Sequence, residues 1–169
     1  LLRLLLEDLR FQGAAVTRQP SLLLYAYDVT TGVAVDIGER LSIVPIVDGY
    51  VVENAIVSLP YGGRQMRECM RKQLTDANGA VFQFENPVEN LLLRAVMEET
   101  CYVSQSATEE KLRAKNVSIS TTQYNIPAGL PKVIDVDSSR FLATEGLFDP
   151  KKWGLEGKGI HHLINEAIQ

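Results

Sequence analysis

The sequence is poor in the residues that most often carry chemistry. Its 169 residues include two cysteines, two histidines and one tryptophan. Cys69 and Cys101 stand far apart, in no metal-ligand spacing and with no histidine near them, so a zinc or iron–sulfur centre has no ligand set to start from. Both are expected to be ordinary buried or half-buried thiols in a reducing, intracellular environment. His161 and His162 are adjacent, and neighbours on a helix point in different directions. They read as structural side chains rather than as a pair chelating one metal. Serine–histidine or cysteine–histidine catalysis has no support beyond the presence of the residue types.

A membrane-length apolar run is also missing. LLRLLLEDLRF, at positions 1–11, is too short to span a bilayer and carries Arg3, Glu7, Asp8 and Arg10. It reads as an amphipathic helix with one buried face. No secretory signal is visible, and the chain opens on Leu1 rather than methionine, so the true N-terminus is expected to lie elsewhere in a longer protein. An excess of basic charge is lacking too. A net charge of −4 and a pI near 5.2 exclude a nonspecific nucleic-acid binder, which needs a basic face. The one dense basic run, Arg64 to Lys72, is interleaved with Glu68 and apolar residues and reads as a helix surface.

What is present is apolar material for a packed core, 46% of the residues against 22% charged. Ser21 to Tyr27 is a buried helix or strand, and periodicity does not decide which. GVAVD, LSIVPIV and YVVENAIVSL are β-rich, and Asp48-Gly49 is a strong hairpin turn. Gly32 to Leu59 is therefore expected to be a three-stranded antiparallel meander. Pro45 is expected at an edge or a bulge. RQMRECMRKQL has helical periodicity, with Met66, Cys69, Met70 and Leu74 near one face, and Asn78-Gly79 closes it. Asn86, Pro87 and Glu89 supply the start chemistry of the next helix. ATEEKLRAK is a further short helix, and Thr122–Ile126 and Lys132–Val136 are strands either side of a Pro127–Gly129 turn. The tail, GKGIHHLINEAIQ, is helical after a glycine-rich bend.

Two turns are candidates for chemistry. Asp36 at a strand end, followed by Gly38, could orient water around a divalent cation while the turn's amides approach phosphate. The plainer alternative is an acid-containing hairpin. Gly62-Gly63 at a strand-to-helix junction could admit a phosphate to the positive end of a helix. A tight turn that needs positive φ explains the same pair.

The order of the blocks carries further. LLLYAYDVTTGVAVDIG, VPIVDGYVVENAIVSLPYGGRQM, MEETCYV and EGLFDPKKWGLEGKGIHHLINEAI together resemble the middle of the actin family, including its actin-related proteins. The resemblance covers essentially the whole chain. It implies an α/β, actin-like ATPase (ribonuclease H-like) fold that is partial here. Residues 1–59 would be the end of a first-lobe helix and the phosphate-loop β-meander of the second lobe. Residues 60–145 would be its outer, mostly helical subdomain with a short β-hairpin, and 146–169 the return segment and helix into the second lobe. The implied ligand is ATP or ADP with Mg²⁺ or Ca²⁺. Gln19 matches the glutamine that orders the attacking water, and Asp36 the aspartate that holds the metal's water shell, so these two carry the catalytic assignment. Cofactor binding falls to Asp36, Gly38, Glu39, Gly63, Arg94 and Glu98, with Asp36 meeting the metal through water.

The departures from the family are concentrated in one place. Actins continue the loop as Asp-x-Gly-Asp-Gly-Val-Thr-His, whereas this chain reads Asp36-Ile37-Gly38-Glu39-Arg40-Leu41-Ser42-Ile43, one residue shorter before its Val-Pro pair. Glu39 is a longer acid, Arg40 replaces a glycine, the histidine has no counterpart, and Met97 replaces a lysine. Loss of a proton-relay group costs about 10²–10⁴ in rate. Arg40 either crowds the β-phosphate or helps to neutralise it. The other phosphate loop and the later adenosine loop have no counterpart in this chain. The resemblance thus implies a divergent actin-related protein, a scaffold in a cytoskeletal or other multi-protein assembly, with ATP as a structural ligand and hydrolysis weak or absent. The alternatives are an active ATPase that polymerises or switches, and a nuclear subunit of a chromatin-remodelling complex. The partners implied are proteins of a large assembly, including actin or actin-related proteins, with no direct nucleic acid and no membrane. The location implied is the cytoplasm and cytoskeleton, with the nucleus as the other option.

Overall fold

The structure is a computed structural model and describes residues 1–79, 83–106, 123–126 and 133–169. Its first layer is a small antiparallel sheet. Strand β1 (Gly32–Ile37) pairs along its whole length with β2 (Leu41–Val47). The other edge of β2 is lined by β3 (Tyr50–Val51) and β4 (Val57–Leu59). The expected third strand is thus interrupted, with a 3₁₀ turn at Glu53–Ala55 looped out between its halves. Pro45 explains the break. Its carbonyl accepts from Val52 N–H at 3.0 Å, so the side on which Pro45 lacks a donor faces this strand rather than β1. Pro45 lies in the central strand, where the partner bulges away, and not on an edge. Asp48 (φ 51°) and Gly49 (φ 83°) form the β2–β3 turn, both left-handed as a tight hairpin requires.

Alternation along β2 sends its side chains to two faces. Val44 and Ile46 join Leu24 and Ala34, while Leu41 and Ile43 join Ile160. Leu24 belongs to helix α1 (Gln19–Ala26), which resolves the helix-or-strand ambiguity of that segment. Ile160 opens the C-terminal helix (Ile160–Ile168), whose Leu163, Ile164 and Ala167 also face the sheet. Helix, sheet and helix form three layers.

A second core lies beyond the sheet. Helix α2 (Gly63–Ala77) contributes Met70 and Leu74, and α3 (Pro87–Thr100) contributes Leu92, Leu93, Val96 and Met97. Asn86 caps α3 by accepting from Glu89 N–H at 2.8 Å. The antiparallel pair β5 (Gln123–Asn125) and β6 (Val133–Asp135) adds Tyr124 and Ile134, and α4 (Ser139–Glu145) adds Ala143. The C-terminal helix is accordingly α5. Cys69 and Cys101 are both free and half-buried, and burial pushes the Cys101 thiol up to about 11. The helix expected over ATEEKLRAK and the turn at Pro127–Gly129 lie outside the described residues.

Two expectations are corrected. The N-terminal segment forms a π-helical turn at Leu4–Asp8 that buries no residue. Leu1, Leu2, Leu4, Leu6, Leu9 and Phe11 remain exposed, because no other described element covers them. The rings of His161 and His162 do not diverge but lie 4.0 Å apart, with His161 also stacked on Phe148.

One side chain ties α2 to the β5–β6 pair. Asn78 Nδ2 donates to the carbonyls of Leu74 (2.9 Å) and Asp135 (3.1 Å), and its Oδ1 accepts from Asp135 N–H at 3.0 Å. Asn78→Ala is expected to lower unfolding free energy by about 2–3 kcal/mol, since partly buried backbone groups lose their partners. Asn78→Asp keeps the acceptor and should recover part of that loss in the same denaturant titration.

Candidate functional site

The β1–β2 connection is short. The ladder closes at Ile37 and Leu41, leaving Gly38, Glu39 and Arg40 as the turn, and Gly38 N–H donates to Arg40 O at 3.1 Å. This turn rests on the start of α2. Gly63 N–H donates to Gly38 O at 2.8 Å, and Leu41 N–H donates to Tyr61 O at 2.8 Å. The two backbones touch. A Cβ on Gly63 would stand 2.8 Å from Gly38 O, and one on Gly62 would stand 3.0–3.1 Å from backbone atoms of Gly38, Arg40 and Leu41. Gly62 is extended (φ 164°), so the pair serves close approach rather than a positive-φ turn. Gly62 N–H donates to Gln65 Oε1 at 3.1 Å. Both glycine amides are thus engaged inside the protein.

Side chains reinforce the same seam. Arg67, one turn into α2, donates from both terminal nitrogens to the two carboxylate oxygens of Glu39, each at 2.8 Å. The Glu39 carboxyl is held below its ordinary value of 4.5 first by the Arg67 hydrogen bond, against a smaller effect of burial, and then by the charges of Arg67, Arg64 and Arg94. The pairing raises Arg67 in turn. Arg94 Nε donates to Glu98 Oε1 at 2.7 Å on the exposed face of α3. Arg67 and Arg94 share a shallow hollow between α2 and α3 with Pro87, Asn90 and Leu91.

Of the residues singled out from sequence, Gly38, Glu39 and Gly63 are in direct mutual contact or joined through Arg67. Asp36 is half-buried at the end of β1, and its Oδ1 lies 3.7 Å from the Cβ position of Gly38. Arg94 and Glu98 flank this group from α3. Gln19, the first residue of α1, is exposed, and among the described residues no hydrogen bond ties it to the loop. Arg67 was not singled out, because the basic run containing it reads as helix surface. Its position one turn after Gly63, beside an acid-bearing loop, is the signal that finds it.

Both Glu39 oxygens are engaged by Arg67, which leaves Asp36 as the loop's one carboxylate without an ion-pair partner among the described residues. Among those residues no group of three or more His, Cys, Asp or Glu gathers around a metal position. Arg40 and Arg64 are exposed and make no ion pair among the described residues.

The sheet's first turn, with its acid and glycine, is thus braced on the start of the following helix. A family model described as Actin matches residues 1–169, and the chain belongs to the actin family. Its mixed helices and antiparallel sheets are a partial actin-like fold.

Gly63→Ala drives a Cβ into the Gly38 carbonyl and is expected to cost about 1–3 kcal/mol of stability, as overpacking against backbone does, read by thermal unfolding. The depressed Glu39 pKa gives a second expectation. Its stabilisation is present above the unfolded value of 4.5 and is lost as pH falls through the lower folded value. The Glu39 side chain is 63% exposed, so Glu39→Gln should cost less than ~1 kcal/mol at pH 7. Denaturation curves of variant and wild type should converge as pH falls from 4.5 through that lower folded value.

Proposed function

We propose that this protein is a divergent actin-related protein that uses the actin fold chiefly as a scaffold in a cytoskeletal, cytoplasmic multi-protein assembly. ATP serves as a structural ligand, and hydrolysis is weak or absent. One observation carries the reading. The backbone that shapes the phosphate loop is kept, through Gly38, Gly62 and Gly63, while the loop's acid is engaged by Arg67. The two guanidinium hydrogen bonds fix the Glu39 carboxylate on Arg67 and offset its charge, which weakens its pull on a metal's water shell. Gln19, exposed and unconnected to the loop, adds no support for an efficient water-activating site.

Assembly with other proteins, including actin or actin-related proteins, is supported by the exposed apolar side chains. Leu22, Leu23, Tyr25 and Tyr27 are exposed alongside those of the N-terminal segment. Surfaces of this kind are usually covered by protein.

The test is to purify the full-length protein natively, denature it and chromatograph the nucleotide released. Near-stoichiometric ATP is the expected result. ADP formed from bound ATP, with exchange from solution excluded, would establish turnover and favour a working ATPase instead. In that case Gln19→Ala should slow turnover without weakening binding.

A further inference from the structure

We propose that Asn78-Gly79, at the end of α2, is a deamidation site gated by the fold. It is closed while α2 lies against β6, and it reacts when that contact opens, leaving a lasting mark that weakens the contact. The inference does not depend on a bound nucleotide.

The helix end and the reaction favour the same pair of residues. Asn78 is the C-cap of α2, and Gly79 follows at φ 63°, the left-handed conformation that favours glycine there. Glycine also has no side chain to shield its nitrogen, and Gly79 is exposed, with nothing within 4 Å of its Cβ position. An asparagine in this setting is thermolabile once the chain around it is free to move. The Gly79 nitrogen gives its proton to solvent base and attacks Asn78 Cγ. The Cγ–Nδ2 bond breaks, and the nitrogen leaves as ammonia with a proton from water. Water then opens the resulting cyclic imide at either carbonyl, leaving aspartate or isoaspartate at position 78. Overall an amide and a water become a carboxylate and an ammonium ion, with nothing oxidised or reduced.

Two features of the structure hold the pair closed. At ψ 14° the Gly79 nitrogen is turned toward the backbone nitrogen of Asn78 and away from its Cβ, so the ring cannot form. The carboxamide is held as well, Nδ2 by the carbonyls of Leu74 and Asp135 and Oδ1 by Asp135 N–H. Reaction therefore requires the end of α2 to unwind and leave β6, and its rate follows that local opening. The product closes less well. A carboxylate keeps the acceptor for Asp135 N–H but sets negative charge against two carbonyl oxygens that have lost their donor. Isoaspartate also lengthens the main chain at the helix end.

The experiment incubates the full-length protein in mildly alkaline buffer, digests samples with trypsin and reads fragment 73–94 by tandem mass spectrometry for exchange of NH₂ by OH. Asn86 and Asn90 lie in the same fragment as references, because proline after Asn86 has no nitrogen proton to give and leucine after Asn90 shields its nitrogen. The same protein unfolded in guanidinium chloride supplies the ungated rate. Deamidation of Asn78 is expected to be at least about tenfold slower in the folded protein, since its side-chain hydrogen bonds must be lost first. Ile134→Val, which thins the buried face of β6 and leaves Asn78 and Gly79 unchanged, should speed the folded-state reaction about threefold. Guanidinium chloride below the unfolding transition should do the same, and it replaces the variant should that fail to fold. Deamidated protein, separated by anion exchange, should melt below the starting protein. Equal rates in the folded and unfolded protein overturn the gate, as does a folded-state rate that neither perturbation raises. An unchanged melting temperature overturns the mark.

Discussion

The contact between the turn at Gly38–Leu41 and the strand-to-helix junction at Tyr61–Gly63 holds the rest in place. It consists of two backbone hydrogen bonds of 2.8 Å and two glycines with no room for a side chain. One half of the seam closes β1 and β2, which bury Ala34, Leu41 and Ile43 in the layered sheet. The other half starts α2, whose Met70 and Leu74 anchor the second core. The junction therefore positions two hydrophobic units as well as the loop. Backbone atoms suit this task, because their geometry leaves less freedom than a side-chain contact does.

The same seam separates what the chain has kept of its family from what it has altered. Sheet pairing, the helix start and the hydrophobic layers depend on burial and backbone hydrogen bonding, and they make a partial actin-like fold. The exposed turn depends on side-chain charge, and there an acid faces an arginine on the next helix. An exposed ion pair contributes little to folding. Its effect is to fix the Glu39 and Arg67 side chains against each other across the seam.

Legibility in the sequence followed the range of the interactions. Asn86, Pro87 and Glu89 announced α3 because capping acts within one turn, and Asn86 accepts from Glu89 N–H as that chemistry requires. Asp48-Gly49 announced its hairpin for a similar reason. The break between β3 and β4 was less visible, since it depends on which edge of β2 lacks the Pro45 donor. The exposed leucines of the first segment show the opposite failure. Their pattern is amphipathic, but whether a face is buried depends on what lies against it. In the site, Gly38, Glu39 and Gly63 were marked in advance, while Arg67 was hidden among surface charges.

The sequence by itself determined the fold class, the family, the turn chemistry and the presence of an acid–glycine loop altered by Arg40, because these rest on local pattern and block order. Only the tertiary structure decided that Gly62 and Gly63 serve backbone contact, that Arg67 holds Glu39, and that Asp36 stands without an ion-pair partner among the described residues. Glu39 and Arg67 lie 28 positions apart. Nothing in local pattern reports that distance; the folded path of the chain, from the turn through the sheet and into the helix, brings them together.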